Sequence, residues 1–307
     1  MTLLRLHMLL IGAPKSGTTW LTRCLSEHPD LFMPREEIHY YSRLHHKGEA
    51  WYASRFAGRA PGQLLAENSN SYLTDPGALE RIASDQPEAK ILCILRNPVD
   101  RAYSSYGMQV DRGRASFDID LYLDPDRSPR PHILTNGLYA RLLAPWYAAY
   151  PRSRILIVRH DDIAERATLL YRRVLDFLSI DGSFVPAGLS ARDNARKQIG
   201  VPGPIKRMLW WTRPAFEKGP LRAFRAGPAG KWIMSSLSRP KYYPPLNASL
   251  RDRLERFYKP DIEALSELAR EDFSCWLADA ESIARQSGDG TPPPRPDVEA
   301  SPAQRAE

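Results

Sequence analysis

Short, nearly unbroken apolar runs alternate along this chain with stretches whose apolar residues recur at helical spacing. The clearest runs are Leu6–Ile11, Ile91–Leu95 and Ile155–Arg159, with shorter candidates at Leu31–Met33 and Leu64–Ala66. Runs of this length, apolar at every position, suit strands buried on both faces of a parallel sheet. Helical spacing predicts helices over Thr18–Glu27, Gly77–Gln86, Pro98–Asp111, Gly137–Ala149 and Ala167–Leu178. A last helix is expected from Ala248 to Leu268, broken or kinked at Pro260, which lacks a backbone N–H. Strands that alternate with helices imply the α/β class: one domain with a central parallel sheet and helices on both faces.

The first junction between strand and helix carries the most chemistry. Residues 9–20 read LLIGAPKSGTTW, so a strand runs through a small-residue loop into the first turn of a helix. Backbone N–H groups and the positive end of a helix dipole converge there on one point. Lys15, Ser16, Thr18 and Thr19 add a charge and hydroxyl donors, with Gly17 at the turn and Trp20 just inside the helix. A phosphate is the natural guest of this P-loop. A nucleoside triphosphatase places Lys directly after the second Gly of its loop and a magnesium-holding Ser or Thr after that. Here Thr18 follows Gly17 and Lys15 precedes it by two positions, so a phosphate cradle that works without a metal is expected.

A second anion site is expected at the end of the strand Ile91–Leu95. Arg96 stands where open α/β sheets bind ligands, Pro98 suits the first turn of a helix, and Ser104 follows on that helix. A planar guanidinium and a hydroxyl suit a phosphate monoester. Two phosphate sites at two strand ends point to a nucleotide phosphorylated in two places.

With these motifs the chain resembles the sulfotransferases that use 3′-phosphoadenosine 5′-phosphosulfate (PAPS). In that family a Pro-Lys-x-Gly-Thr-Thr loop grips the 5′-phosphosulfate, and Arg-x-Pro-x-x-Arg-x-x-Ser-x-Tyr grips the 3′-phosphate. The second motif stands here in full as Arg96, Pro98, Arg101, Ser104 and Tyr106. Residues 36–52 (EEIHYYSRLHHKGEAWY) resemble the segment of the heparan sulfate and related carbohydrate sulfotransferases that carries an acidic base. Glu37 matches that base, His39 lies two residues on, and Lys47, Gly48, Trp51 and Tyr52 match the rest. Residues 66–76 (AENSNSYLTDP) resemble the next block, where heparan-type enzymes often have Lys after the Glu; Asn68 stands there instead and removes a cation. Residues 137–160 resemble a later helix and strand and place Tyr139 near the nucleotide, and 249–277 resemble the closing helix of bacterial members. The likeness runs, with gaps, from about residue 8 to about residue 278 and is weakest over 192–245.

The resemblance implies the sulfotransferase fold, PAPS as co-substrate with its desulfated product PAP, no metal, and a hydroxyl or amine acceptor on a sugar, lipid or secondary metabolite. Glu37 would be the general base, with His39 as the other candidate, and Lys15 would meet charge on the bridging oxygen. Ser16, Gly17, Thr18, Thr19 and Trp20 would cradle the 5′ end, and Arg96 and Ser104 the 3′-phosphate. Glu36 neighbours Glu37, and one of the two is expected to face solvent. The alternative is a P-loop phosphotransferase that uses ATP and magnesium on a small molecule; the position of Lys15 argues against it. His45 and His46 read as surface residues. His160, followed by Asp161 and Asp162, reads as the cap of the next helix.

Composition adds three things. The chain of 307 residues, 43% of them hydrophobic, is long enough for one large domain, expected over 1–286, with a polar, Pro-rich tail over 287–307 expected to be disordered. The apolar N-terminus runs straight into the phosphate loop, so it reads as a strand and not as a signal peptide; no run of eighteen apolar residues occurs, and a cytoplasmic enzyme is expected. Cys24, Cys93 and Cys275 are scattered and read as small core residues. Charge is uneven. Residues 192–241 hold twelve Lys or Arg against Asp193 and Glu217, a net of +10, whereas the whole chain carries +7. This Trp-containing segment (192–245) reads in three ways: a lid that brings Arg192, Arg196 or Lys197 to the nucleotide, a surface for an acidic acceptor or anionic membrane, or a solvated basic face. No nucleic-acid motif accompanies it, and oligomeric state is not legible.

Overall fold

The protein is seen here as a computed structural model, which describes residues 4–190, 199–200, 239–240 and 243–277. In chain order its strands are β1 (Met8–Gly12), β2 (Leu31–Phe32), β3 (Leu64–Asn68), β4 (Lys90–Leu95), β5 (Ile155–Arg159), β6 (Ile199–Gly200) and β7 (Arg239–Pro240). The helices are α1 (Thr18–Leu25), α2 (Gly48–Ser54), α3 (Pro76–Asp85), α4 (Pro98–Asp111), α5 (Ile119–Tyr122), α6 (His132–Thr135), α7 (Tyr139–Ala149), α8 (Asp161–Glu165), α9 (Ala167–Leu178) and α10 (Ala248–Ala269). Strands β1 to β5 form one parallel sheet in the order β2-β3-β1-β4-β5. β6 and β7 pair antiparallel apart from it.

Every residue of β1 is buried, because alternate side chains enter two different cores. Met8 and Leu10 pack with Trp20, Leu21 and Cys24 of α1 and with Val174 and Leu178 of α9. Leu9 and Ile11 pack on the other face with residues of α3, α4, α7 and α10, among them Ile82, Ala102, Leu143 and Leu254. The helix after β1 therefore covers one face, and the helix after its neighbour β4 covers the other. Ligands of open α/β sheets bind where the connections after neighbouring strands leave to opposite faces in this way, which here is at the ends of β1 and β4.

Two expectations about packing need correction. Helix α10 runs unbroken through Pro260. Leu250, Leu254 and Tyr258 before the proline and Ile262 and Leu265 after it all enter the same core, so packing on both sides holds the helix across one missing N–H. Cys24 and Cys93 are buried as expected, but Cys275 is exposed, because it stands in the short turn Ser274–Trp276 whose inward residue is Trp276. Among the described residues, no helix is long and apolar enough to cross a membrane. Most of the basic segment and the tail from residue 287 lie outside the described residues.

Candidate active site

The phosphate loop is bent into shape by backbone in the left-handed region. Lys15 has φ 73° and Gly17 φ 96°, and α1 begins directly after Gly17 with no side chain capping it. The first N–H groups of a helix have no partner within it, so those of α1 are presented to whatever sits in the loop. Gly17 is the one residue that fits: a Cβ there would lie 2.5 Å from Ile163 Cδ1 and 3.0 Å from His160 Nδ1. His160 braces the loop from below. Its Nδ1 lies 3.1 Å from the Ser16 carbonyl, and a carbonyl only accepts, so Nδ1 carries the proton. Burial, and then Arg96 nearby, hold the pKa of His160 below its ordinary value. His160 does stand at the start of α8, but its ring makes no cap; Ser16 takes it instead.

Arg96 leaves the end of β4 and its Nη1 lies 3.5 Å from the Lys15 carbonyl, so the two expected phosphate sites adjoin. Tyr139, fully buried, donates from its hydroxyl to the Arg96 carbonyl at 2.9 Å. The Asp261 carboxylate of α10 places it by accepting from Ala140 N and Arg141 N at 3.0 and 3.1 Å at the start of α7. Asn97 caps α4 through Val99 N, and Ser104 is half-buried along that helix. Thr18 is buried and Thr19 exposed. Ser16 is fully buried, and the ring of Trp20 packs in the core beneath α1. Arg101 does not face the crevice: it is fully buried and donates to the carbonyls of Ile133 and Leu134.

The acidic half of the site lies on the loop after β2. Glu36 faces solvent and pairs with Arg55, whereas Glu37 is half-buried and turned inward. His39 Nε2 lies 3.0 Å from Glu37 Oε2, and Asn70 Nδ2 donates to Glu37 Oε1 at 2.5 Å. His39 itself has φ 55°, a conformation in which His is more at home than most side chains. Its N–H donates to Ser69 Oγ and its Nδ1 meets Ser71 Oγ, both at 2.7 Å.

These contacts come from the segment that follows β3, and that segment is anchored twice. Ser69 N donates to the Leu10 carbonyl of β1 at 3.0 Å. Below it, the fully buried Glu67 carboxylate accepts from the hydroxyls of Tyr52, Tyr72 and Ser69. Burial pushes the Glu67 pKa up, and the three hydroxyls and His39 partly oppose this. A Cβ on Gly12 would lie 3.5 Å from the Asn70 carbonyl, so the segment holding Glu37 also touches the base of the phosphate loop.

The structure thus brings Lys15, Ser16, Gly17, Thr18, Arg96 and Tyr139 to one crevice, with Glu37 and His39 on a segment fixed to the same strand end. Arg192, Arg196 and Lys197 lie outside the described residues. Sequence reasoning missed Glu67, Ser69, Asn70, Ser71 and the ring of His160. The signal for the first four was present in AENSNSY, a carboxylate, three hydroxyls and two amides crowded at a strand end. Among the described residues, no group of three or more His, Cys, Asp or Glu is arranged to hold a metal ion.

Comparison with known proteins agrees with this geometry. The family described as "Sulfotransferase domain" matches residues 5–191. Heparan sulfate glucosamine 3-O-sulfotransferase 6 of Homo sapiens is 28% identical over 270 residues, covering 86% of this chain and 72% of its own. Heparan sulfate glucosamine 3-O-sulfotransferase 3B1 of Mus musculus is 30% identical over 177 residues, 56% of this chain and 45% of its own, so the chain spans about half the length of that relative. The crystal structure of a sulfotransferase from Alicyclobacillus acidocaldarius superposes with a TM-score of 0.65 at 24% identity, covering 90% of this chain and 100% of that one, a likeness of fold. The matched stretch covers more than half of the chain and contains the phosphate loop, Glu37, Arg96 and Ser104; the chain belongs to the sulfotransferase domain family.

Proposed function

We propose that this protein moves a sulfuryl group from PAPS to a hydroxyl or amine of a sugar, lipid or secondary-metabolite acceptor, without a metal. The observation that carries this reading is the adjacency of two anion sites, at Lys15 and at Arg96, to a half-buried carboxylate on a segment fixed to the same strand. The relatives' names, which specify a glucosamine 3-hydroxyl of heparan sulfate, favour a sugar hydroxyl. Asn68 stands where heparan-type enzymes often have a cation, and it is buried at the end of β3.

In the proposed step the acceptor oxygen attacks sulfur as its proton passes to Glu37. The bond from sulfur to the bridging phosphate oxygen breaks, and that oxygen leaves with the electron pair as part of PAP. Lys15 and the N-terminus of α1 face the negative charge that grows there, and Arg96 with Ser104 holds the 3′-phosphate. Glu37 serves as the base in preference to His39 because both ring nitrogens of His39 are already engaged, one by Glu37 and one by Ser71. General-base assistance of this kind contributes roughly 10²–10⁴ in rate.

Calorimetric titration with PAP, with and without EDTA and beside ATP with magnesium, tests the reading. Binding of PAP that is indifferent to EDTA and lost with 5′-AMP, which lacks the 3′-phosphate, is expected. Preference for ATP with magnesium would replace sulfuryl transfer with phosphoryl transfer.

A further inference from the structure

The hydroxyls behind His39 form a chain with a single direction. A carboxylate only accepts hydrogen bonds, so at 3.0 Å from Glu37 the His39 Nε2 carries a hydrogen. In the neutral ring Nδ1 is then a lone pair, and Ser71 Oγ, 2.7 Å away, donates to it. Ser71 Oγ in turn lies 2.8 Å from Ser42 Oγ, a half-exposed hydroxyl able to donate to it. The hydrogens of Ser71 and His39 thus point toward the carboxylate, and that of Ser42 is shared between Ser71 Oγ and the His39 carbonyl, 3.4 Å away. The His39 backbone is held at φ 55°, its N–H donating to Ser69 Oγ, which in turn donates to Glu67. The groups that face His39 are thus the Glu37 and Glu67 carboxylates and the hydroxyls of Ser42, Ser69 and Ser71.

We infer that Ser71 is a positioning residue for Glu37: by donating to His39 Nδ1 it holds the ring in the Nε2–H form from which the carboxylate accepts, with Asn70 holding the other oxygen. The inference rests on the reading of Glu37 as the base. With one donor on each oxygen the carboxylate is held in place, and each oxygen keeps a lone pair for the acceptor's proton. Without the Ser71 hydroxyl, Nδ1 loses its donor and the Glu37 carboxylate alone favours Nε2–H, so the ring carries its proton on Nδ1 more often. Its Nε2 lone pair would then face the carboxylate and push it out of place.

The test uses the full chain with ¹⁵N-labelled histidine and PAP added, His39 being assigned by loss of its signals in His39→Gln. The ¹⁵N shifts are expected to show Nε2–H in the wild type, a mixture of tautomers in Ser71→Ala, and Nε2–H again in Ser71→Thr. In parallel, transfer of labelled sulfate from PAPS to a heparosan oligosaccharide is followed. Ser71→Ala is expected to lower kcat about ten- to a hundredfold, the usual loss when a group that orients a site ligand is removed. The KM for PAPS and the affinity for PAP should stay as they are, and Ser71→Thr should recover kcat. If Ser71→Ala fails to fold, Ser42→Ala, at the partly exposed end of the chain, is expected to shift the same tautomer balance more weakly. A wild-type ring with its proton on Nδ1, or an unchanged tautomer in both Ser71→Ala and Ser42→Ala, overturns the inference. If the wild type transfers nothing to heparosan while the tautomers behave as expected, the choice of acceptor fails and the positioning role stands.

Discussion

Glu67 is a carboxylate with no exposed surface and, among the described residues, no cationic side chain bonded to it; three hydroxyls satisfy it instead. Its worth to the fold therefore depends on pH in the unusual direction. Burial raises its pKa above the ordinary 4.5, so the folded chain holds this proton more tightly than the unfolded one. Between 4.5 and the raised value the native state binds more protons, and stability falls as pH rises through that window. A tenfold difference in proton affinity between the folded and unfolded chain is worth about 1.4 kcal/mol. Glu67→Gln keeps an oxygen for the hydroxyls and removes the ionisation. Its melting temperature should decline less than that of the wild type as pH rises from 4.5 toward neutrality, and parallel melting curves for the two proteins would show that Glu67 does not titrate in this range. The same carboxylate fixes Ser69, which fixes the backbone of His39, so a residue that touches no ligand shapes the site. Burying it is the cost of a rigid platform under Glu37.

At the scale of elements, α10 shows how tertiary packing outweighs local preference. Proline inside a helix removes one hydrogen bond and crowds the preceding turn, a cost of about 3 kcal/mol or more, yet the helix continues because both of its halves are held by one core. That cost is carried by the packing, and removing it should show. Pro260→Ala is expected to stabilise the protein by about 1–2 kcal/mol, the restored bond and relieved clash being partly offset by the greater freedom of the unfolded chain; a denaturant titration that found a loss would mean that the ring of Pro260 packs usefully. Most elements were legible because their signals are local: β1, β4 and β5 are apolar at nearly every position, and Pro98 marks the start of α4. The phosphate loop was legible for the same reason, its Lys, Gly and Thr being contiguous. What sequence could not reveal were contacts across distance, such as the His160 ring on the Ser16 carbonyl, 144 residues apart, and Asn70 on Glu37, 33 apart. Polar side chains in a helix start or a strand-end loop have many local partners available, and only the sheet order decides which distant one they meet.

Across the whole molecule, the C-terminal part of the described chain packs behind the loops that follow β1 and β4. The turn Ser274–Trp276 sets the Trp276 ring against Phe273 and Tyr139, with ring centroids 4.8 and 6.0 Å apart. Its indole N–H donates to Asp161 Oδ2 at 3.1 Å, and its carbonyl accepts from Asn97 Nδ2 at 3.2 Å. One residue thus ties together the start of α8, whose His160 braces the phosphate loop, the start of α7, whose Tyr139 holds the Arg96 carbonyl, and the cap of α4 just after Arg96. Both halves of the proposed anion site lean on it from behind, although it is separated from Lys15 by most of the chain. Trp276→Ala should cost about 3–5 kcal/mol of stability, as expected for emptying a buried aromatic site. It should also weaken PAP binding, since the Arg96 corner and the loop would each lose a brace. Trp276→Phe keeps an aromatic ring in place and drops the indole donor. Asp161 is exposed and water can replace that donor, so a smaller loss of about 1 kcal/mol, the net worth of one hydrogen bond, is expected. Melting and PAP calorimetry on the two variants separate the possibilities. Affinity that falls with Trp276→Ala at a temperature where the variant is still folded shows that the closing turn organises the anion site. Unchanged affinity in a folded but destabilised variant shows that Trp276 secures the core alone, and that β1, β4 and their loops hold the crevice by themselves.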